Sequence, residues 1–185
     1  MESKTLFDEL ASHMLQGIMT HEQLMNCYLF LGLEGYAKCH EYHYLDETKG
    51  LIELTKFYCD THRSIPKTVT IINPGLIPES WYESTKEDVD IKTRTEAIVA
   101  AFDEWVNWER STKEFYDSSY KSLLSINDIE SAIFLSGYIK DVNEELAYAM
   151  NERVSKLAIK FDMVSIMEEQ DSLVKTFTKK IKKLY

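Results

Sequence analysis

His40, His43 and Glu47 lie within two turns of one helical segment, and His40 and Glu47 share its apolar stripe. Neutral imidazole nitrogens and a carboxylate brought together in this way are donors for a divalent transition metal. Glu109, four residues after Trp105 on another segment, is expected to face the same interior, so His40, His43, Glu47 and Glu109 form a candidate site for one such ion. The competing reading is a core network. A buried polar group needs a partner, and Tyr36, Tyr44 and Tyr58 offer hydroxyls for His40 and Glu47. Other chemistry finds no support. Cys39 is adjacent to His40, but neighbouring helix residues point about 100° apart and do not share a proton. The chain has no glycine-rich phosphate loop and no Gly-x-Ser-x-Gly elbow. No catalytic residues are assigned, and the chain is not expected to be an enzyme.

The elements that must position these residues read as five helices. The first runs from about Lys4 to Leu31, with Leu6, Leu10, Met14, Ile18, Met25 and Leu29 near one side; Gly17 is expected to weaken its middle. After a turn at Gly32-Leu33-Glu34-Gly35, a second continues to His62 with Tyr36, His40, Tyr44, Leu51, Leu54 and Tyr58 on one stripe. A third starts near Thr93 and buries Ala97, Ile98, Ala101, Phe102, Trp105, Trp108, Phe115 and Tyr116. Asn127 or Asp128 is expected to cap a fourth, whose apolar residues are Ile129, Ile133, Ile139, Leu146, Met150, Val154 and Leu157. Phe161-Asp162 marks a joint before a C-terminal helix with Val164, Met167, Val174, Phe177, Ile181 and Leu184 at helical spacing.

Residues 63–92 differ. All three prolines fall there, Val69–Ile72 suits a short extended piece, and Trp81 and Tyr82 suggest packing onto the body. Two helical hairpins, 4–62 and 93–160, joined by a long crossover at 63–92, make a four-helix bundle of ferritin-like topology. A fifth helix at 162–184 completes a single all-α domain spanning 1–185.

Bulk properties bound the rest. The 185 residues carry 21 Lys+Arg and 31 Asp+Glu, a net charge of −10, and five lysines without an acid in the last eleven residues leave the remainder at −15. Such a body repels nucleic acid and anionic membranes, so neither is an expected partner. Three cysteines without a CxxC spacing read as free thiols of a cytoplasmic protein, and no leader or membrane-spanning run is evident. The lysines at the C-terminus suit a helix macrodipole.

Short patches resemble the ferritin and Dps superfamily. Gly32-Leu33-Glu34-Gly35-Tyr36-Ala37 is similar to the turn that opens the second ferritin helix, and Cys39-His40-Glu41 to the Leu-His-Glu step of Dps proteins. Asn127-Asp128, Phe134-Leu135 and Asp141 to Glu145 resemble parts of the fourth helix. Aligned on these patches, Glu47 and Glu109 match ligand positions of the ferritin di-iron centre, while Met14, Gly50 and Val142 stand where its other ligands would be. Glu-x-x-His, which supplies such a centre, is absent. The resemblance therefore implies the fold without the ferroxidase. His40-Glu41-Tyr42-His43-Tyr44 and Pro78-Glu79-Ser80-Trp81-Tyr82 also resemble segments of small proteins carried by phages and mobile elements of Gram-positive bacteria.

The leading expectation is a non-catalytic protein without a cofactor that binds another protein. The partner would present a basic nucleic-acid groove, as a CRISPR effector nuclease does, and Glu83, Glu87, Asp88, Asp90, Asp141, Glu144 and Glu145 would make the contact. The alternative is a ferritin-like protein that binds a divalent transition metal through the rebuilt His40, His43, Glu47 and Glu109 set. Assembly into a homo-oligomer through helix faces is a further expectation.

Overall fold

The computed structural model describes residues 3–63, 65–67 and 90–185. Its elements are α1 (Ser3–Phe30), α2 (Glu34–His62), α3 (Ile91–Ser125), α4 (Ile129–Ala158), α5 (Met163–Glu168) and α6 (Gln170–Ile181). Helix α1 packs along α2, α3 along α4, and α6 lies against α2. The expected extended piece at Val69–Ile72, the packing of Trp81 and Tyr82, and Glu83, Glu87 and Asp88 lie outside the described residues.

Local chemistry sets the helix ends. Gly32 takes a φ of 76°, and the Gly32 and Leu33 N–H groups return to the carbonyls of Leu29 and Tyr28 at 3.0 and 2.8 Å. This paired closure satisfies carbonyls that the helix leaves free. Asn127 and Lys160, also at positive φ, close α3 and α4 in the same pattern. Asp90, Asp128 and Asp162 cap α3, α4 and α5, accepting from the N–H groups of Thr93, Ser131 and Ser165.

Helix α1 runs unbroken through Gly17 over the expected span. Two sequence expectations need correction. The C-terminal helix is two helices that meet at Glu169, and Val164 and Met167 face solvent. On α4 the inward side carries Ala132, Leu135, Val142 and Ala149, while Ile129, Ile133, Met150, Val154 and Leu157 are exposed. Two alanines on that side leave room for close approach, and a stripe weighted by large side chains misses them.

Buried side chains gather in two clusters rather than one. Leu24, Tyr28, Leu33, Tyr36, Phe102, Trp105, Ile166 and Phe177 belong to the cluster that includes the Gly32 turn. Phe7, Leu10, Met14, Leu54, Tyr58, Tyr116, Leu123, Leu135 and Val142 form the other. Each large side chain buried there contributes roughly 1.5–3 kcal/mol. The sequence positions between the clusters on all four long helices are occupied by Gly17 and His21, His40 to Glu47, Glu109 and Thr112, and Glu145. No described helix is long and apolar enough to cross a membrane.

Candidate functional site

This intermediate layer is polar, and every long helix contributes to it. His21 comes from α1, His40, His43 and Glu47 from α2, Glu109 from α3, and Glu145 from α4. The antiparallel α1–α2 hairpin brings together residues equidistant from its turn. Tyr28 meets Tyr36 and His21 meets His43 at ring separations of 5.3 and 5.1 Å. By the same register Gly17 faces Glu47, whose Oε1 lies 3.0 Å from where a Cβ on residue 17 would stand. The glycine read as a weak point is the space that admits Glu47 and Trp108.

His21, His40 and Glu109 are 1% exposed or less, and His43 is 4% exposed. His21 stacks on His40 and His43, and His40 lies flat against Tyr28 with the Trp105 ring edge-on at 4.7 Å. The Nδ1 atoms of His21 and His40 are 3.1 Å apart, so one ring donates and the other accepts. The other side of His21, Nε2, is 3.8 Å from Glu109 Oε1, which accepts from the Trp105 indole N–H at 3.0 Å. His43 Nδ1 meets Glu145 Oε1 at 3.1 Å. The Nε2 atoms of both His40 and His43 are buried without any hydrogen-bond partner.

Burial governs the charge states. It holds the His21 and His40 imidazoles well below the usual histidine range, and the neighbouring histidines add to the effect. Burial likewise holds the Glu47 and Glu109 carboxyls well above the usual carboxylate range, reinforced by the charge of Glu145. Desolvation disfavours the charged form of both residue types. The His21–Glu109 contact lies at the edge of reach, and burial weighs against the charged form of both partners.

All four residues of the predicted His40, His43, Glu47 and Glu109 set belong to this layer. The observed partners differ from the sequence-expected tyrosines: His40 bonds to His21, and the Tyr36 hydroxyl donates to Glu152 and Glu169. Sequence reasoning missed His21, and it assigned Glu145 to a partner surface. The signal for His21 was available, because in a hairpin closed at Gly32 it stands as far before the turn as His43 stands after it.

The level that the ferritin resemblance associates with metal ligands is closed differently. Beside Gly50 the space for a side chain is filled by the Tyr138 ring, 3.2 Å from where a Cβ would stand, and Met14 borders it at 3.9 Å. The Tyr138 hydroxyl donates to the Gly50 carbonyl at 3.3 Å. A cavity of about 150 Å³ opens beside it, lined by Asp46, Glu47, Tyr116, Val142 and Glu145 among others.

The remaining predicted acids among the described residues fall at the start of α3 and on α4. Asp90 caps α3, Asp141 and Glu144 are exposed on α4, and Glu145 turns in towards His43.

Whether a metal fits is a question of donors and of arrangement. Three imidazoles, two of them with a free buried nitrogen, and three nearby carboxylates are the donor types a divalent transition ion takes. Among the described residues no three such side chains already converge as ligands. The donor types suit such an ion, and in the observed arrangement they do not converge on one point.

No family model matches this chain, and no curated protein does. Solved ferritins do match its structure. An engineered closed form of the Archaeoglobus fulgidus ferritin is 12% identical with a TM-score of 0.74. A humanized archaeal ferritin is 15% identical at 0.75, and an open-pore ferritin from the hyperthermophilic archaeon Archaeoglobus fulgidus 14% identical at 0.74. Each match covers 93% of this chain and 94% of the other. The fold is the ferritin-like four-helix bundle.

Proposed function

We propose that this protein is a ferritin-like metal-binding protein that holds a divalent transition ion in its polar layer. His40 and His43 supply nitrogen donors, Glu109 and Glu47 supply carboxylates, and His21 and Glu145 orient them. The observation that carries this reading is the pair of Nε2 atoms on His40 and His43, buried and without partners. An orphaned polar atom in a low-dielectric interior costs about 1–3 kcal/mol and calls for a reason. The His40 imidazole, held neutral by burial, is ready to ligate without first losing a proton. A bound ion would supply the positive charge that lets the buried carboxyls ionise. The ferritin-like fold supports the reading, because its bundle core is a recurrent place for metals held by facing helices.

A docking face for a basic protein partner, such as a nuclease from a host defence system, draws less support. Of the four acids named for it among the described residues, Asp90, Asp141 and Glu144 are exposed, and Glu145 turns in towards His43.

Metal content after Co²⁺ or Zn²⁺ loading tests the proposal. One equivalent per chain is expected in the wild type, with tetrahedral or five-coordinate Co²⁺ absorption bands, and loss of both in His40→Ala/Glu47→Ala. Should that double variant misfold, His43→Gln, which keeps the volume, is expected to shift the Co²⁺ bands. A folded wild type that retains no metal at millimolar supply overturns the proposal.

A further inference from the structure

A cleft between α2 and α4 borders the polar layer, and a lysine from the C-terminal helix contributes to its lining. The outer cleft has a volume of about 310 Å³, and its lining includes Tyr42, His43, Asp46, Asp141, Glu145 and Lys180. Asp46, Asp141 and Glu145 also line the cavity beside Glu47, so cleft and cavity share three carboxylates in their walls. Nearly buried His43, with its unpartnered Nε2, belongs to the same lining.

Helix α6 is fixed beside this cleft by contacts independent of charge. Phe177 is 2% exposed and packs on Tyr42 and Tyr148 at ring separations of 6.0 and 6.1 Å. At the start of α6 the Gln170 side chain accepts from the Gly35 and Tyr36 N–H groups at 2.8 and 3.3 Å, tying α6 to the start of α2. One turn beyond Phe177, Lys180 places its Nζ 5.1 Å from the Tyr42 ring centroid and 4.9 Å from that of Phe177. Its ammonium thus rests on aromatic faces inside an acidic cleft, where cation–π attraction and the nearby carboxylates both favour it.

We infer that Lys180 is a tethered competitor for cations at the α2–α4 cleft: its ammonium stands at the rim of the cleft, and a metal ion that enters by this cleft displaces it. The inference rests on the metal-binding reading for the ion's destination, while the contest at the rim needs only the cleft. A tethered charge excludes monovalent ions and weakly attracted cations, and it yields to a divalent ion because attraction to the carboxylates scales with charge. Lys180 is a selectivity residue rather than a ligand, so its removal is expected to speed entry without altering how many ions the protein holds.

Two probes separate the parts. Tb³⁺ binds carboxylates directly, and its luminescence is sensitised by nearby tyrosines, here Tyr42 and Tyr148, so it reports the cleft. Stopped-flow Co²⁺ absorption reports arrival at the histidines. At low salt, Lys180→Met is expected to bind Tb³⁺ on the order of tenfold more tightly than wild type and to take up Co²⁺ correspondingly faster. Both differences should shrink at high salt as screening sets in. Lys180→Arg, which keeps the charge, is expected to behave as wild type, an outcome that a purely packing role would not produce. Equal Tb³⁺ affinity and equal Co²⁺ uptake in wild type and Lys180→Met overturn the inference, as does a Lys180→Arg protein that behaves like Lys180→Met. Tighter Tb³⁺ binding by Lys180→Met with no Co²⁺ held by any variant upholds the gate and overturns the metal-binding reading. Co²⁺ held with unchanged rates does the reverse.

Discussion

His13 shows how a single aromatic cation-former is treated inside this bundle. Its ring is sandwiched between Trp108 and Phe115 at 4.8 and 4.5 Å and meets Thr112 Oγ1 at 2.9 Å. Burial lowers its pKa from 6.5 to about 4. Between those values the unfolded chain binds a proton that the folded chain refuses, so this residue's contribution to stability falls as pH drops from about 6.5 towards 4. The full loss is roughly 3 kcal/mol. Glu47 and Glu109 act in the opposite sense, since carboxyls held above their ordinary range stabilise the fold as they take up protons. A difference measurement cancels them. Urea unfolding of wild type and His13→Phe at pH 7 and pH 4.5 is expected to show a smaller acid loss in the variant, and equal losses would show that His13 does not titrate in this way.

Among the elements, the α1–α2 hairpin sets the register of the polar layer, and Gly17 is the position at which an added side chain would meet Glu47. A Cβ at residue 17 would stand 3.0 Å from both Glu47 Oε1 and Trp108 Cζ2. Helix propensity alone would favour Gly17→Ala by about 1 kcal/mol. Overpacking against a buried carboxyl and an indole costs about 1–3 kcal/mol and should win, so a lower melting temperature is expected on thermal unfolding. A rise would mean that Glu47 has free room to move. Much of this hairpin was legible beforehand: the Gly32 turn, the stripe through Tyr36, His40, Leu54 and Tyr58, and the inward facing of His40; on α3 the inward facing of Glu109 was legible too. Counting outward from the turn would also have exposed His21. Helix α4 was harder, because Ala132 and Ala149 carry little hydrophobic signal while exposed Ile133 and Val154 carry much. The break at Glu169 was not legible at all. It depends on tertiary contacts, with Glu169 bonded to the Tyr36 hydroxyl and paired with buried Lys156. Local sequence does not encode such partners.

At the scale of the molecule, two apolar clusters flank a layer of histidines and carboxyls, and that division weakens the bundle unless something occupies the layer. Burying ionisable groups costs free energy whether they are neutralised or paired. The fold therefore keeps this layer against its own stability, as proteins do at functional sites. Anything that binds the folded layer and not the unfolded chain returns stability by mass action, about 2.7 kcal/mol when its free concentration is one hundred times its dissociation constant. In a chain of 185 residues that corresponds to a rise in Tm of about 5–10 °C. Co²⁺ or Zn²⁺ is expected to raise the Tm of the wild type by this amount and to leave His40→Ala/His43→Ala unmoved. Mg²⁺, which prefers oxygen donors and sheds water reluctantly, should shift neither protein, because a nitrogen-bearing layer offers it little. An equal shift with Mg²⁺ would place the binding on the carboxylates of the α2–α4 cleft instead of the histidines.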